Sequence, residues 1–336
     1  MEQLESWPDP ASTRYPWGVK HRLYIDGHAG TTGLRIREWL EGREDFQLLT
    51  LPDAERKHPE ARREQIRACD VAILCLPDDA AREAAAWAEG SDSRLLDTST
   101  AHRVDADWVY ALPELEPGVR EALRKASRVS NPGCYPSGFL LAIRPLVDAG
   151  LLDREAPLQV HALSGYSGGG RPMIERWEDT ANPLATLPYE APYALDRRHK
   201  HIPEMQHYSG LLREPQFIPA VGAFRCGMRV EIPLHAQHLE AGTTGKDVWE
   251  ALDARYRGED FIRLHPIAEA LESNEASFDP RACNDTNRMD LHVLPHASGH
   301  VLVMAILDNL GKGAAGAAIQ SLNLMLGRPE NAGLAR

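Results

Sequence analysis

Strand-like and helix-like spacings alternate through the first hundred residues. Positions 21–26 read as a short strand. A glycine-spaced turn, 27–33, follows, and Ile36, Trp39 and Leu40 then mark one face of a helix. A second strand is predicted over 46–51, ending at Pro52 and Asp53, and a helix over 60–67. Residues 71–76 form an unbroken apolar run, as expected of a strand buried on both faces of a parallel sheet. Pro77 then opens a helix over 80–89, and 94–97 is a further strand. This alternation predicts a parallel sheet covered by helices on both sides.

The pattern changes after about residue 136. A helix is predicted over 139–152 and another over 243–256. Alternating apolar positions at 158–163, 216–221, 228–234 and 301–307 predict a largely antiparallel sheet with one covered face. An Ala-rich helix, 313–326, closes the chain with Ile319, Leu322 and Leu326 on it. No internal repeat of 20 to 50 residues is present.

Composition narrows the reading. At roughly 150 residues per domain, 336 residues correspond to about two domains. The expected division is a flexible arm over 1–20, one domain over 21–136 joined by 308–336, and a second over 137–307. A net charge of −12 argues against a nucleic-acid binder, whose footprint is basic. Five widely spaced cysteines with no C-x-x-C suit free thiols in a reducing compartment, so a cytoplasmic protein is expected. No apolar run approaches the ~18 residues of a membrane span, and the first 20 residues lack the apolar stretch of a signal peptide.

Three segments carry candidate chemistry. Gly27, Gly30 and Gly33 space a turn between strand and helix, enclosing Thr31 and Thr32; this context suits a dinucleotide pyrophosphate at a helix N-terminus. Asp53 stands where an acid usually grips a ribose 2′-hydroxyl, but Arg56 and Lys57 follow and suit a 2′-phosphate, favouring NADP(H). Cys134 lies in a turn shaped by Asn131, Pro132 and Gly133, just before a helix, where unpaired N–H groups would lower its pKa and make it a nucleophile. The alternative, a buried core thiol, suits Cys75 and Cys69 better. His199, His201 and Glu204 offer a general acid/base with an orienting carboxylate. Zinc is a rival reading for this segment. The two histidines fall on opposite sides of an extended chain, so shared ligation is awkward and no metal is expected. His292, His296 and His300 recur every four residues, but Pro295 and Gly299 interrupt any helix that would align them. Arg103, just past a strand end, and Arg171, after a glycine-rich loop, are candidate anion ligands. Asn309, before the last helix, is placed to meet a nicotinamide carboxamide.

Six segments in order, 25–34, 74–79, 130–138, 164–170, 199–205 and 308–314, resemble the N-acetyl-γ-glutamyl-phosphate reductases of arginine biosynthesis. The shorter bacterial type of this semialdehyde dehydrogenase superfamily is the nearest. The resemblance covers about residues 21–328. It implies a Rossmann-type, parallel-sheet NADP-binding domain plus an α+β catalytic domain with a mainly antiparallel sheet. It implies NADPH-dependent reductive dephosphorylation of an acyl phosphate through a thioester on the cysteine matching Cys134. The acid/base role falls on His199 or His201, and the cofactor on the glycine loop and Asn309. The substrate's anionic groups fall to Arg103, with Arg171 and Lys200 as further cations and Asn131 and Glu204 completing that side. Family members are homo-oligomers, so a homodimer or homotetramer is expected. The alternatives are a related reductase of β-aspartyl or carrier-linked glutamyl phosphate, a non-catalytic NADP-binding module, and a cysteine hydrolase for which the glycine loop would have no purpose.

Overall fold

The computed structural model describes residues 20–267 and 275–336. The arm expected over 1–20 lies outside the described residues except for Lys20. In the first part of the chain the short apolar runs become strands β1 (His21–Asp26), β2 (Phe46–Leu49), β3 (Val71–Leu74), β4 (Arg94–Asp97), β5 (Val109–Tyr110) and β6 (Arg128–Ser130). Between them lie helices α1 (Thr31–Leu40), α2 (Pro59–Ala68), α3 (Asp78–Trp87) and α4 (Val119–Lys125). The strands pair in parallel in the order β2-β1-β3-β4-β6-β5. Every residue of β3 is buried, as its unbroken apolar run requires. The chain leaves β1 for β2 on one side and places β3 on the other. Such a reversal opens a crevice at the carboxyl ends of the strands, where ligands of these sheets bind. Strand β3 stops at Leu74, short of the expected 76, where Gly27 crowds onto the next carbonyl. Strands β5 and β6, of two and three residues, are too short to show a periodicity.

The second part opens with α5 (Cys134–Asp148). It continues through β7 (Gln159–Gly165), α6 (Gly170–Glu178), β8 (Ala191–Pro192), α7 (Ile202–Ser209), β9 (Gln216–Gly222), β10 (Met228–Leu234), α8 (Gly245–Tyr256), β11 (Ile262–Leu264), β12 (Met289–Pro295), β13 (Val301–Leu307) and α9 (Gly316–Met325). The sheet order is β11-β12-β13-β10-β7-β9-β8. It is more mixed than the alternation suggests: β7 pairs with β9 and β11 with β12 in parallel. The cause is the crossover through α6 and α7 that returns the chain beside β7 in the same direction.

Helix α5 begins five residues before its expected start, so Cys134 is its first residue. Pro136 sits in the first turn, where a missing N–H costs nothing. Gly150, at φ +67°, stops the helix before the expected 152. Tyr135 to Ile143 are all buried. Gly138 lets α5 press on the second sheet: a Cβ there would lie 2.9 Å from Val230 Cγ2. The last helix is preceded by a π turn, Gly311–Ala315. It then packs Ala318, Ile319 and Leu322 against Leu23, Ile25 and Ile73 of the first sheet. Among the described residues no helix is long and apolar enough to cross a membrane.

Candidate active site

Cys134 faces a cleft of about 440 Å³ between the two sheets. Its turn is held from behind. Glu204, 1% exposed, accepts hydrogen bonds from the Gly133 backbone N–H (3.1 Å), the Tyr110 hydroxyl (2.9 Å) and Arg103 Nη1 (2.7 Å). Arg103 also donates to the carbonyls of Asn131 (2.9 Å) and Thr98 (3.2 Å). Glycine at 133 lets these groups close on the turn: a Cβ would lie 2.6 Å from Arg103 Nη1 and 2.7 Å from both Glu204 Oε1 and His201 Nε2, so one of them would have to move. Expected as substrate ligands, Arg103 and Glu204 are thus spent largely on each other and on the turn. Arg103 still lines the cleft; Glu204 does not. Glu204 Oε1 stands 3.9 Å from His201 Nε2, beyond a hydrogen bond, so it does not orient that ring through one.

The helix N-terminus does not leave Cys134 with a lowered pKa. Burial, the largest effect, pushes the thiol up to about 11, with Glu204 adding to the rise. The Arg103 guanidinium, the Tyr135 backbone N–H and Lys200 pull the other way and lose. A thiolate here therefore needs a base or a bound ligand to form.

His199 and His201 enter the same cleft, with ring centroids 4.7 Å apart. The extended geometry that would separate them is absent, because His201 caps α7 in a helical conformation and turns back beside its neighbour. His199 Nδ1 accepts the backbone N–H of His201 (3.2 Å), which leaves the proton of the neutral ring on Nε2. That nitrogen lies 3.5 Å from the Tyr193 hydroxyl, which in turn donates to Tyr135 Oη (3.2 Å). Burial and the charges of Lys200 and Arg103 push the His199 pKa down to about 4. Burial, then Arg103, holds His201 well below the usual histidine range. Both rings are neutral bases at neutral pH. Tyr193 was not singled out by the sequence, since it comes from a segment without periodicity. Among the described residues no three His, Cys, Asp or Glu side chains are grouped to hold a metal ion. His296 and His300 line a separate cavity at the far end of the second sheet.

Thr31, Thr32, Asn131, Lys200 and Asn309 share the cleft with Cys134. The glycine loop fits a dinucleotide. Gly27 has φ +88°, and a Cβ there would lie 2.2 Å from the Cys75 carbonyl oxygen; one on Gly33 would lie 2.5 Å from the Gly27 oxygen. The loop is thereby pressed onto β3 and presents the first N–H groups of α1 to the cleft. Asn131 Oδ1 is buried without a partner, spare acceptor capacity in the wall. Asn309 is more committed than expected: its Oδ1 accepts from the Gly227 N–H (2.8 Å) and its Nδ2 donates to Ser167 Oγ (2.9 Å). One amide hydrogen is left for a ligand. Asp53, Arg56 and Lys57 lie outside the cleft, in the turn after β2. There Asp53 is almost fully exposed and stands 3.5 Å from Arg56. Arg171 does not line the cleft that holds Cys134. It donates to the Ala29 carbonyl (2.7 Å) in the glycine loop and lines an adjoining cavity that shares Thr31 and Leu310 with the cleft.

Comparisons with known proteins agree with this fold. Residues 24–126 match the semialdehyde dehydrogenase NAD-binding domain family, and residues 134–309 the semialdehyde dehydrogenase dimerisation domain family. The chain is 47% identical over 310 residues to an N-acetyl-gamma-glutamyl-phosphate reductase of Burkholderia lata, covering 91% of this chain and 96% of that one. It is 44% identical over 321 residues to an N-acetyl-gamma-glutamyl-phosphate reductase 2 of Nostoc sp., covering 94% and 99%. Among solved structures, aspartate semialdehyde dehydrogenase II of Vibrio cholerae, complexed with ASA, superposes with a TM-score of 0.67 at 18% identity, covering 91% and 98%. Aspartate semialdehyde dehydrogenase of Candida albicans, with NADP, gives 0.61 at 14% identity, with the same coverage. At those identities the structural likeness establishes the fold alone.

Proposed function

Because this chain belongs to the N-acetyl-gamma-glutamyl-phosphate reductase family of semialdehyde dehydrogenases, we propose that its cleft reduces N-acetyl-glutamyl 5-phosphate to the 5-semialdehyde, releasing phosphate, with Cys134 as the nucleophile. The observation that carries the assignment is the convergence of a helix-opening cysteine, two neutral histidines and the first turn of α1 on one cleft.

The chemistry follows from the groups present. A neutral histidine takes the proton from the Cys134 thiol, and the sulfur attacks the acyl carbon. Phosphate leaves, and the acyl group remains as a thioester on Cys134. Backbone N–H groups at the start of α5 face the developing oxyanion. A nicotinamide cofactor held at the glycine loop and the first turn of α1 would supply the hydride that reduces the thioester. A histidine protonates the oxyanion of the resulting thiohemiacetal, then recovers the proton as the aldehyde departs and the sulfur is freed. His201, whose Nε2 faces the Gly133 turn, is set up to receive the proton from Cys134 and, as the imidazolium so formed, to give it to the oxyanion; His199 stays neutral beside it, with its Nε2–H next to Tyr193. Lys200, exposed at the rim, draws the substrate's anionic groups inward against the net charge of −12.

The N–H groups of α1, with Thr31 and Thr32, would hold the cofactor pyrophosphate, and Arg171 braces the same loop through the Ala29 carbonyl. Arg56 and Lys57 select NADP(H) by pairing with its 2′-phosphate. The chain acts as a homo-oligomer built through residues of the second sheet domain. Its free cysteines, Cys69, Cys75, Cys134, Cys226 and Cys283, suit the cytoplasm.

The assay is phosphate-dependent reduction of NADP by N-acetylglutamate 5-semialdehyde, the reaction run backwards. Turnover is expected in the wild type and absent in Cys134→Ala. Turnover of aspartate semialdehyde but not of the N-acetylated aldehyde would overturn the substrate. Arg56→Ala with Lys57→Ala should raise the KM for NADPH by about tenfold or more and leave NADH unaffected.

A further inference from the structure

Among the described residues Lys312 is the largest charged side chain wholly removed from water, and it takes no part in the chemistry above. Its side chain and that of Glu114 are both 0% exposed. Burying an ammonium and a carboxylate carries a large desolvation cost, and an apolar pair of similar volume usually serves stability as well or better. Its place in the fold offers another use.

Lys312 sits inside the π turn, with Gly311 before it and Gly313 after it. The wide turn is closed by N–H bonds from Gly313 to the Asp308 carbonyl and from Ala315 to the Leu310 carbonyl, both 2.9 Å. One face of the turn is the cleft wall: Leu310, Gly313 and Ala314 line it. Gly313 packs directly on the nucleophile, since a Cβ there would lie 2.7 Å from Cys134 Cβ. The Ala314 carbonyl accepts from Asn131 Nδ2 (3.0 Å), tying the turn to the segment that precedes the thiol. On another side Gly311 abuts the Thr286 carbonyl, 2.1 Å from where a Cβ would be.

The lysine draws the turn toward the protein interior. Its Nζ donates to Glu114 Oε1 and to Gln320 Oε1, each at 2.7 Å. Glu114 follows β5 of the first sheet; Gln320 belongs to α9; the Phe261 ring, just before β11 of the second sheet, lies 5.7 Å from the ammonium. Gln320 Nε2 donates on to Glu114 Oε1 (2.8 Å) and Glu330 Oε1 (2.7 Å), and Arg120 binds Glu330. A π turn is an uncommon, loosely bonded form that frequently marks functional sites. This one has a directional, fully desolvated anchor reaching both sheets.

We propose that Lys312, through its ion pair with Glu114, is a positioning residue that seats the π turn against Cys134 and so sets the packing of the nucleophile. The proposal rests on the role given to Cys134, but its labelling readout does not need the substrate.

The test compares wild type, Lys312→Met and the double variant Lys312→Met/Glu114→Leu, which leaves no orphaned charge. Folding is followed by thermal melting, turnover by the reverse reaction, and Cys134 itself by iodoacetamide labelling quantified on its own peptide. In the double variant, melting is expected to stay close to wild type. Labelling should become at least about threefold faster as the wall loosens. The kcat should fall at least about tenfold, with KM for the aldehyde changed less than about threefold. Wild-type labelling or wild-type kcat in a folded variant lacking the pair overturns the proposal. Failure of both variants to fold overturns it too, by making the pair a stability element. Absence of turnover in the wild type would instead count against the reaction assigned above, while the labelling comparison still decides the role of Lys312.

Discussion

The thiol of Cys134 is the most exacting test of the site, because its helix-start position and its burial point in opposite directions. Burial leads and pushes the thiol up to about 11. Its reaction with iodoacetamide should therefore climb about tenfold per pH unit from 7 to 10 without levelling. Glu204→Gln perturbs this in a calculable way. The carboxylate raises the thiol pKa directly and also neutralises Arg103, whose Nη1 it binds at 2.7 Å. A unit charge at about 6 Å in an effective dielectric of about 20 is worth about 3 kcal/mol, or about two pK units. Removing it increases the thiolate population about a hundredfold at pH 8, and the lower basicity of that thiolate takes back about tenfold. Labelling of the Cys134 peptide in Glu204→Gln should accordingly be about tenfold faster than in the wild type. Turnover should fall, because a glutamine cannot accept from Gly133, Tyr110 and Arg103 at once. A wild-type labelling profile that plateaus below pH 9, or a variant that labels no faster, would refute this account of the electrostatics.

Further outcomes are expected. Gly133→Ala meets three polar atoms within 2.7 Å although its φ of −75° suits alanine; the protein should fold, with kcat reduced about a hundredfold or more. Tyr193→Phe loses the hydroxyl 3.5 Å from His199 Nε2; a kcat lowered about three- to tenfold at unchanged KM is expected, and an unchanged kcat would show that this hydroxyl does not serve His199 in turnover. Acid stability follows from the neutral histidines. His199 and His292 are each pushed down to about 4, and His201 well below its usual value. The unfolded chain therefore takes up more protons than the native one once the pH drops below about 6.5, and stability is lost from there down toward pH 4. Melting at pH 5 should lie several degrees below that at pH 7, and a flat profile would show that these rings are not held neutral.

Much of the first sheet was legible because its strands are short apolar runs set between turn and helix signals, β3 being buried along its whole length. The glycine spacing was legible for a related reason: Gly27 and Gly33 are demanded by backbone contacts of their own loop and the next strand. Strands β5 and β6 were not, since two or three residues carry no period and exist only by pairing, β6 with β4 and β5 with β6. The mixed direction of the second sheet was hidden as well, because alternation reports which face is buried and not which way the chain runs.

The site divides along the same line. Residue type and local shape singled out Cys134, the two histidines, Asn131 and Asn309 from sequence alone, because a thiol in a Pro/Gly turn or an amide before a helix advertises its chemistry locally. What those groups do was decided by residues far away in the chain. Glu204 lies 71 residues from the glycine whose N–H it holds, and Glu114 lies 198 from Lys312. Such contacts fix whether Arg103 is free or spent, whether the Cys134 thiol moves up or down, and which loop Arg171 serves. Desolvation and charge pairing depend on distance in space. The sequence therefore determines which reactive groups the protein owns, and the tertiary structure determines their protonation and their partners.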